Sequence, residues 1–124
     1  MVVMSPLRSA ALVLLGGAVG TLGRHAVATS WTDTAWPWPT FVVNLLGSLF
    51  LGALVARSRP DQPARLLLGT GLLGGFTTYS AFAVETDQLV RDDRLALAAL
   101  YPVITVALGS LAALAGMVLA RRRP

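Results

Sequence analysis

The sequence predicts an all-α polytopic membrane protein, a single domain over residues 1–124, with four transmembrane helices, the third broken near its middle. Two observations carry the fold class. Of the 124 residues, 55% are hydrophobic and 13% charged, against about 25% charged in soluble domains; the mean hydropathy is +0.68. Four runs hold no Asp, Glu, Lys or Arg: Ser9–Gly23, Thr34–Ala56, Leu66–Val84 and Leu95–Ala120. The last three reach the roughly 20 residues that a bilayer-spanning helix needs. The first does so only by drawing Arg24 and His25 into its end. The break rests on a third observation, the stretch GLLGGFTTYSAF (Gly71–Phe82), which sets paired glycines and four hydroxyls at the centre of an apolar span.

Helix 1 is expected over about Ser9–Ala28. Arg8 before an apolar stretch also suits a signal peptide, but no small-residue cleavage site follows, and Gly16-x-x-x-Gly20 suits close helix packing. Gly47, Gly52, Gly69 and Gly109 suit the same use elsewhere. The next loop holds Trp31, Trp36 and Trp38, the composition of an aromatic belt at a membrane–water interface. Pro37 and Pro39 then fit a helix start, and helix 2 runs Thr40–Ala56. The linker RSRPDQPAR (Arg57–Arg65) carries prolines and charges and lies outside the membrane. Helix 3 covers about Ala64–Val90, with Glu85 and Asp87 expected to end it in solvent. RDDR (Arg91–Arg94) turns into helix 4, which is expected to stop before Arg121–Arg123.

Four spans put both termini on one side, with Arg8, Arg57, Arg59, Arg65 and Arg121–Arg123; the other side has Arg24, Arg91 and Arg94. Positive-inside counting places both termini in the cytoplasm. All ten basic residues are arginines lying between and outside the spans, so the net charge reads as topology and not as nucleic-acid binding. Without cysteine and with one histidine, a zinc site is excluded in practice. No carboxylate pair or Ser–His–Asp set points to an enzyme.

Few residues can carry chemistry. Gly69-Thr70-Gly71-Leu72-Leu73-Gly74 matches a dinucleotide fingerprint, but it lies inside a hydrophobic span without the βαβ setting that motif needs. The segment Gly74–Ser80 allows two readings. Non-helical backbone at membrane depth is tolerated where it lines a wet cavity or is buried in protein, so its carbonyls suit a cation and its hydroxyls and amides an anion. Equally, it suits a packed glycine kink whose hydroxyls bond back to the preceding turn. Asn44 is either a neutral anion donor or interhelical glue. Tyr101 and Thr105 share a face of helix 4. Arg24 is a functional or paired arginine or one that reaches for headgroups, and His25 reads as interfacial.

The segments GGAVGTLGRH (Gly16–His25), TFVVNLLGSLFLG (Thr40–Gly52) and GLLGGFTTYSAFAVE (Gly71–Glu85) resemble the CrcB/Fluc family of fluoride channels over nearly the whole chain. The resemblance implies an antiparallel dual-topology dimer with two fluoride pores along its interface. It implies a structural Na⁺ at the dimer centre, held by backbone carbonyls of Gly74 and Thr77. Asn44, Tyr79, Phe82, Ser80, Tyr101 and Thr105 would form the ion pathway, with Arg24 structural. Tyr79 departs from the family's usual Phe, which bears on conduction through one pore. The Arg bias departs from a subunit inserting both ways and suggests a fixed orientation beside an oppositely oriented paralogue. The function expected is passive export of cytoplasmic fluoride across the cell membrane. The rivals are a small multidrug-type exporter, which needs an acid in helix 1, and a structural subunit without transport.

Overall fold

The computed structural model describes residues 4–31 and 34–122; Arg123, counted above as a topology signal, lies outside them. Helix α1 spans Pro6–Thr29, begun by Ser5, whose hydroxyl accepts from the Arg8 amide at 3.4 Å. Helix α2 spans Trp38–Arg57 and starts at Pro37 and Pro39, as their fixed φ favours. The third span, Arg65–Arg91, is made of three pieces. A wide, π-helical segment covers Arg65–Leu73, a short α3 covers Gly74–Phe76, and α4 covers Ser80–Arg91. Helix α5 follows over Leu95–Arg121, running through Arg121 where the sequence suggested an earlier stop. All four spans are long and apolar enough to cross a bilayer, and Leu14, Leu15, Val19 and Leu22 of α1 stand exposed as lipid-facing residues would. The chain is a multi-pass membrane protein.

The helices pair through small residues, because apolar side chains gain nothing by leaving lipid for one another while close backbone contact does. Helix α1 lies on the third span: a Cβ at Gly20 would land on the Leu72 carbonyl. Helix α2 lies on α5, where a Cβ at Gly116 would land on the Leu49 carbonyl. Gly20→Ala is therefore expected to push α1 outward, costing about 1–3 kcal/mol as overpacking does. Melting in detergent checks this, and an unchanged midpoint would contradict the tight fit.

One expectation is narrowed and another needs correction. Within the expected Gly74–Ser80 segment the break lies at Thr77–Tyr79, one step beyond the glycines, and Gly74 is right-handed helical at φ −64, ψ −36. Gly75 serves packing, since a Cβ there would land on the Gly17 carbonyl, and the chain leaves the helix where a side chain captures its hydrogen bond, as described below. Glu85 does not end a helix in solvent. Helix α4 runs six residues past it, to Arg91, and Glu85 is half-buried, because hydroxyls from α2 and α5 close on its carboxylate. Asp87 does face solvent and pairs with Arg91 at 2.6 Å.

An apolar cluster of Phe41, Leu89, Ala98 and Tyr101 fills one end of the molecule. Trp36 roofs it, edge-on to Phe41 (5.4 Å) and Tyr101 (5.2 Å), so this tryptophan packs inward while Trp31 and Trp38 keep the exposure of belt residues.

Candidate functional site

The site begins with a competition for backbone hydrogen bonds. In a continuous helix the Thr78 amide would bond the Gly74 carbonyl, and the Ala81 amide would bond that of Thr77. Instead Asn44, reaching across from α2, takes both backbone groups of Thr78. Its Oδ1 accepts from the Thr78 amide at 2.8 Å and its Nδ2 donates to the Thr78 carbonyl at 3.0 Å. The Thr78 hydroxyl in turn accepts from the Ala81 amide at 3.2 Å, capping the start of α4. Gly74 and Thr77 thus lose the amides their carbonyls would have had. Thr77 is otherwise secured, since its amide and hydroxyl both donate to Leu73, at 3.0 and 2.8 Å.

These residues open onto a furrow of about 550 Å³ along one side of the chain. Asn44, Ser48, Gly74, Thr77, Thr78, Tyr79, Phe82, Thr105 and Ser110 are among its walls. Asn44 spends one N–H on the break and keeps the other, so it acts as glue and remains a donor. Thr105 is 6% exposed, and its hydroxyl has no partner. A buried orphan hydroxyl costs stability unless something else bonds it. Tyr79 is 81% exposed, its ring 6.0 Å from that of Phe82. The furrow thus sets hydroxyls and one amide among mostly apolar walls, with the Tyr79 ring at its edge.

Other sequence candidates fall elsewhere. Tyr101 is fully buried behind Phe82, rings 5.3 Å apart, and its hydroxyl donates to Glu85 Oε2 at 2.8 Å. Ser80 lies beyond the break with its hydroxyl 3.2 Å from that of Thr78. Arg24 and His25 line a separate cavity of about 410 Å³ with Thr21, Thr40, Thr78 and Glu85.

Glu85 is the residue that sequence reasoning missed. Besides Tyr101 it accepts from the Thr40 hydroxyl at 2.6 Å, so one carboxylate ties α4 to α2 and α5. It also borders a second cavity, of about 380 Å³, under Trp36. A signal was present: Glu85 and Tyr101 are equally far from Asp93, the residue at φ 56 that turns α4 into α5. Antiparallel helices joined by a tight turn bring such positions together.

The carbonyl pair fits a hard cation by donor type: Gly74 and Thr77 offer neutral oxygens without amide partners, both on the furrow. Among the described residues no cluster of His, Cys, Asp or Glu competes as a metal site.

Comparison with known proteins shows the family. The family described as "CrcB-like protein, Camphor Resistance (CrcB)" matches residues 11–117. A protein of Novosphingobium aromaticivorans named "Fluoride-specific ion channel FluC" is 44% identical over 107 residues, covering 80% of this chain and 85% of its own. "Fluoride-specific ion channel FluC 1" of Mycobacterium bovis is 44% identical over 121 residues, covering 93% and 92%. "Fluoride-specific ion channel FluC 2" of Leifsonia xyli subsp. xyli is 44% identical over 120 residues, covering 90% and 83%. With the family match over residues 11–117 and these relatives, the chain belongs to the CrcB family.

Proposed function

We propose that the chain is a subunit of a fluoride-specific channel that lets cytoplasmic F⁻ leave passively through pores at an antiparallel dimer interface. The observation that carries this is the furrow itself, where donors, ring edges and freed carbonyls lie together on a face that a second copy would cover. Fluoride holds its water strongly, so a pore must return donors for those it removes. The spare N–H of Asn44 and the orphan hydroxyl of Thr105 are such donors, and Phe82 and Tyr79 add the positive edges of their rings. None of them is a trapping cation, and weak successive sites let an ion leave as readily as it enters. Ser80 extends the polar route away from the furrow, Tyr101 backs it through the ring behind Phe82, and Arg24 takes a structural part at the separate cavity it lines.

A sodium ion between subunits would be held by the Gly74 and Thr77 carbonyls, supplying fixed positive charge midway through an anion path. The protein would lie in the inner membrane with both termini in the cytoplasm, as the Arg bias favours. That bias favours pairing with an oppositely oriented paralogue over a homodimer, and Tyr79 bears on conduction through one pore. The channel is not an enzyme. A multidrug-type exporter is disfavoured by α1, which carries no acid.

A fluoride electrode reading efflux from loaded proteoliposomes tests the proposal. Fluoride efflux with chloride retained is the expected result. No efflux from this chain, alone or with its paralogue, overturns it, whereas efflux from this chain alone overturns only the obligate heterodimer.

A further inference from the structure

On the side of α2 away from the furrow, α2 and α5 bound a mostly apolar groove of about 320 Å³. Its walls are Leu49, Phe50, Ala53, Gly116 and Leu119, with Arg57 and Ala120 at one end. Helical periodicity fixes which way it faces. Asn44, Gly47, Ser48 and Leu51 line the furrow; Phe50, Ala53 and Arg57 fall about half a turn away. No residue of α1 lines the groove. It therefore opens to the bilayer, and Phe50 (55%) and Leu119 (59%) stand exposed there.

The groove's end is basic and oriented. Arg57 Nε donates to the Ala120 carbonyl at 3.0 Å, which satisfies a helix-terminal acceptor and fixes the guanidinium at the groove mouth. Its other nitrogens have no partner among the described residues. Arg121 and Arg122 follow directly, exposed and outside any ion pair among the described residues. The acid of the neighbouring loop, Asp61, pairs with Arg59, and no acid among the described residues lines the groove.

We propose that this groove seats one anionic phospholipid, with an acyl chain against Phe50 and Leu119 and its phosphate on Arg57 and Arg121. Charge complementarity selects the occupant: a phosphodiester matches the planar donors of arginine, and basic pockets between spans at the cytoplasmic side favour anionic headgroups. The lipid would clamp α2 to α5 at the end opposite the Glu85 cluster. This site is independent of fluoride conduction.

Native mass spectrometry of the full chain tests it, using phosphatidylglycerol and phosphatidylcholine of equal chain length, and glycerol 3-phosphate as the free headgroup. Phosphatidylglycerol is expected to remain bound at about tenfold lower concentration than phosphatidylcholine. Arg121→Gln with Arg122→Gln, which leaves Arg57 on Ala120, should weaken that preference severalfold. Phe50→Ala, which removes an exposed ring, should weaken both lipids alike. Equal retention of the two lipids, an unchanged preference in the charge variant, or glycerol 3-phosphate binding as tightly as the lipid would each overturn the proposal. Because the readout is lipid retention, neither result depends on fluoride efflux, and a failed efflux assay leaves it standing.

Discussion

Asn44→Leu is expected to abolish fluoride efflux and to lower the melting temperature in detergent. Leucine has the branched outline and the heavy-atom count of asparagine, so contact between α2 and the break is largely kept. What is lost is the exchange with Thr78, an acceptor at 2.8 Å and a donor at 3.0 Å. Thr78 is 7% exposed, and its two backbone groups would be left unpaired at membrane depth, costing about 1–3 kcal/mol each. The chain has one cheap remedy, which is to rewind: the Thr78 amide returns to the Gly74 carbonyl and the break closes. Either outcome destroys the furrow. Asn44→Asp separates the two roles, since a carboxylate still accepts from Thr78 but donates nothing and places negative charge on an anion path. It should melt closer to the parent than the leucine variant yet conduct no better. Parental efflux from Asn44→Leu would show that the exchange does not matter.

The second large effect is at Glu85. Glu85→Ala strands two buried hydroxyls at once, those of Tyr101 at 0% exposure and Thr40 at 6%. With about 1–3 kcal/mol for each orphan, a loss of about 2–6 kcal/mol is expected. Efflux should fall with it, because Phe82 rests on the Tyr101 ring that Glu85 steadies. Tyr101→Phe is the control. It keeps the ring against Trp36 and Phe82 and removes one hydrogen bond, so about 1 kcal/mol is expected with much of the efflux retained. If the alanine and phenylalanine variants melt and conduct alike, Glu85 is not the tie described.

The spans were legible because a bilayer imposes length and hydropathy on each segment separately, and Leu95–Ala120 needs no neighbour to be read as a helix. The pairing glycines Gly16 and Gly20 were legible for the same reason, as spacing within one helix. The position of the break was not. Local propensity favours unwinding at Gly74–Gly75, yet both remain helical, and the chain opens at Thr77–Tyr79 because Asn44 outcompetes the Gly74 carbonyl. That contest is between residues 34 positions apart, beyond any local pattern. Glu85 was misjudged for a related reason. One acid near a charged turn reads as solvated unless Thr40 and Tyr101 are already known to face it.

The exchange at Thr78 also bears on when the work of opening the third span is done. An ion site made by pulling carbonyls out of a helix would be weakened by the unwinding its ligand had to cause. Here side chains of the protein displace the amides, so the opening is completed as the chain folds. The cation proposed for Gly74 and Thr77 would meet oxygens already released, and its affinity would not be reduced by reorganisation. Its loss would change the charge at the centre of the membrane and leave the shape of the backbone as it was.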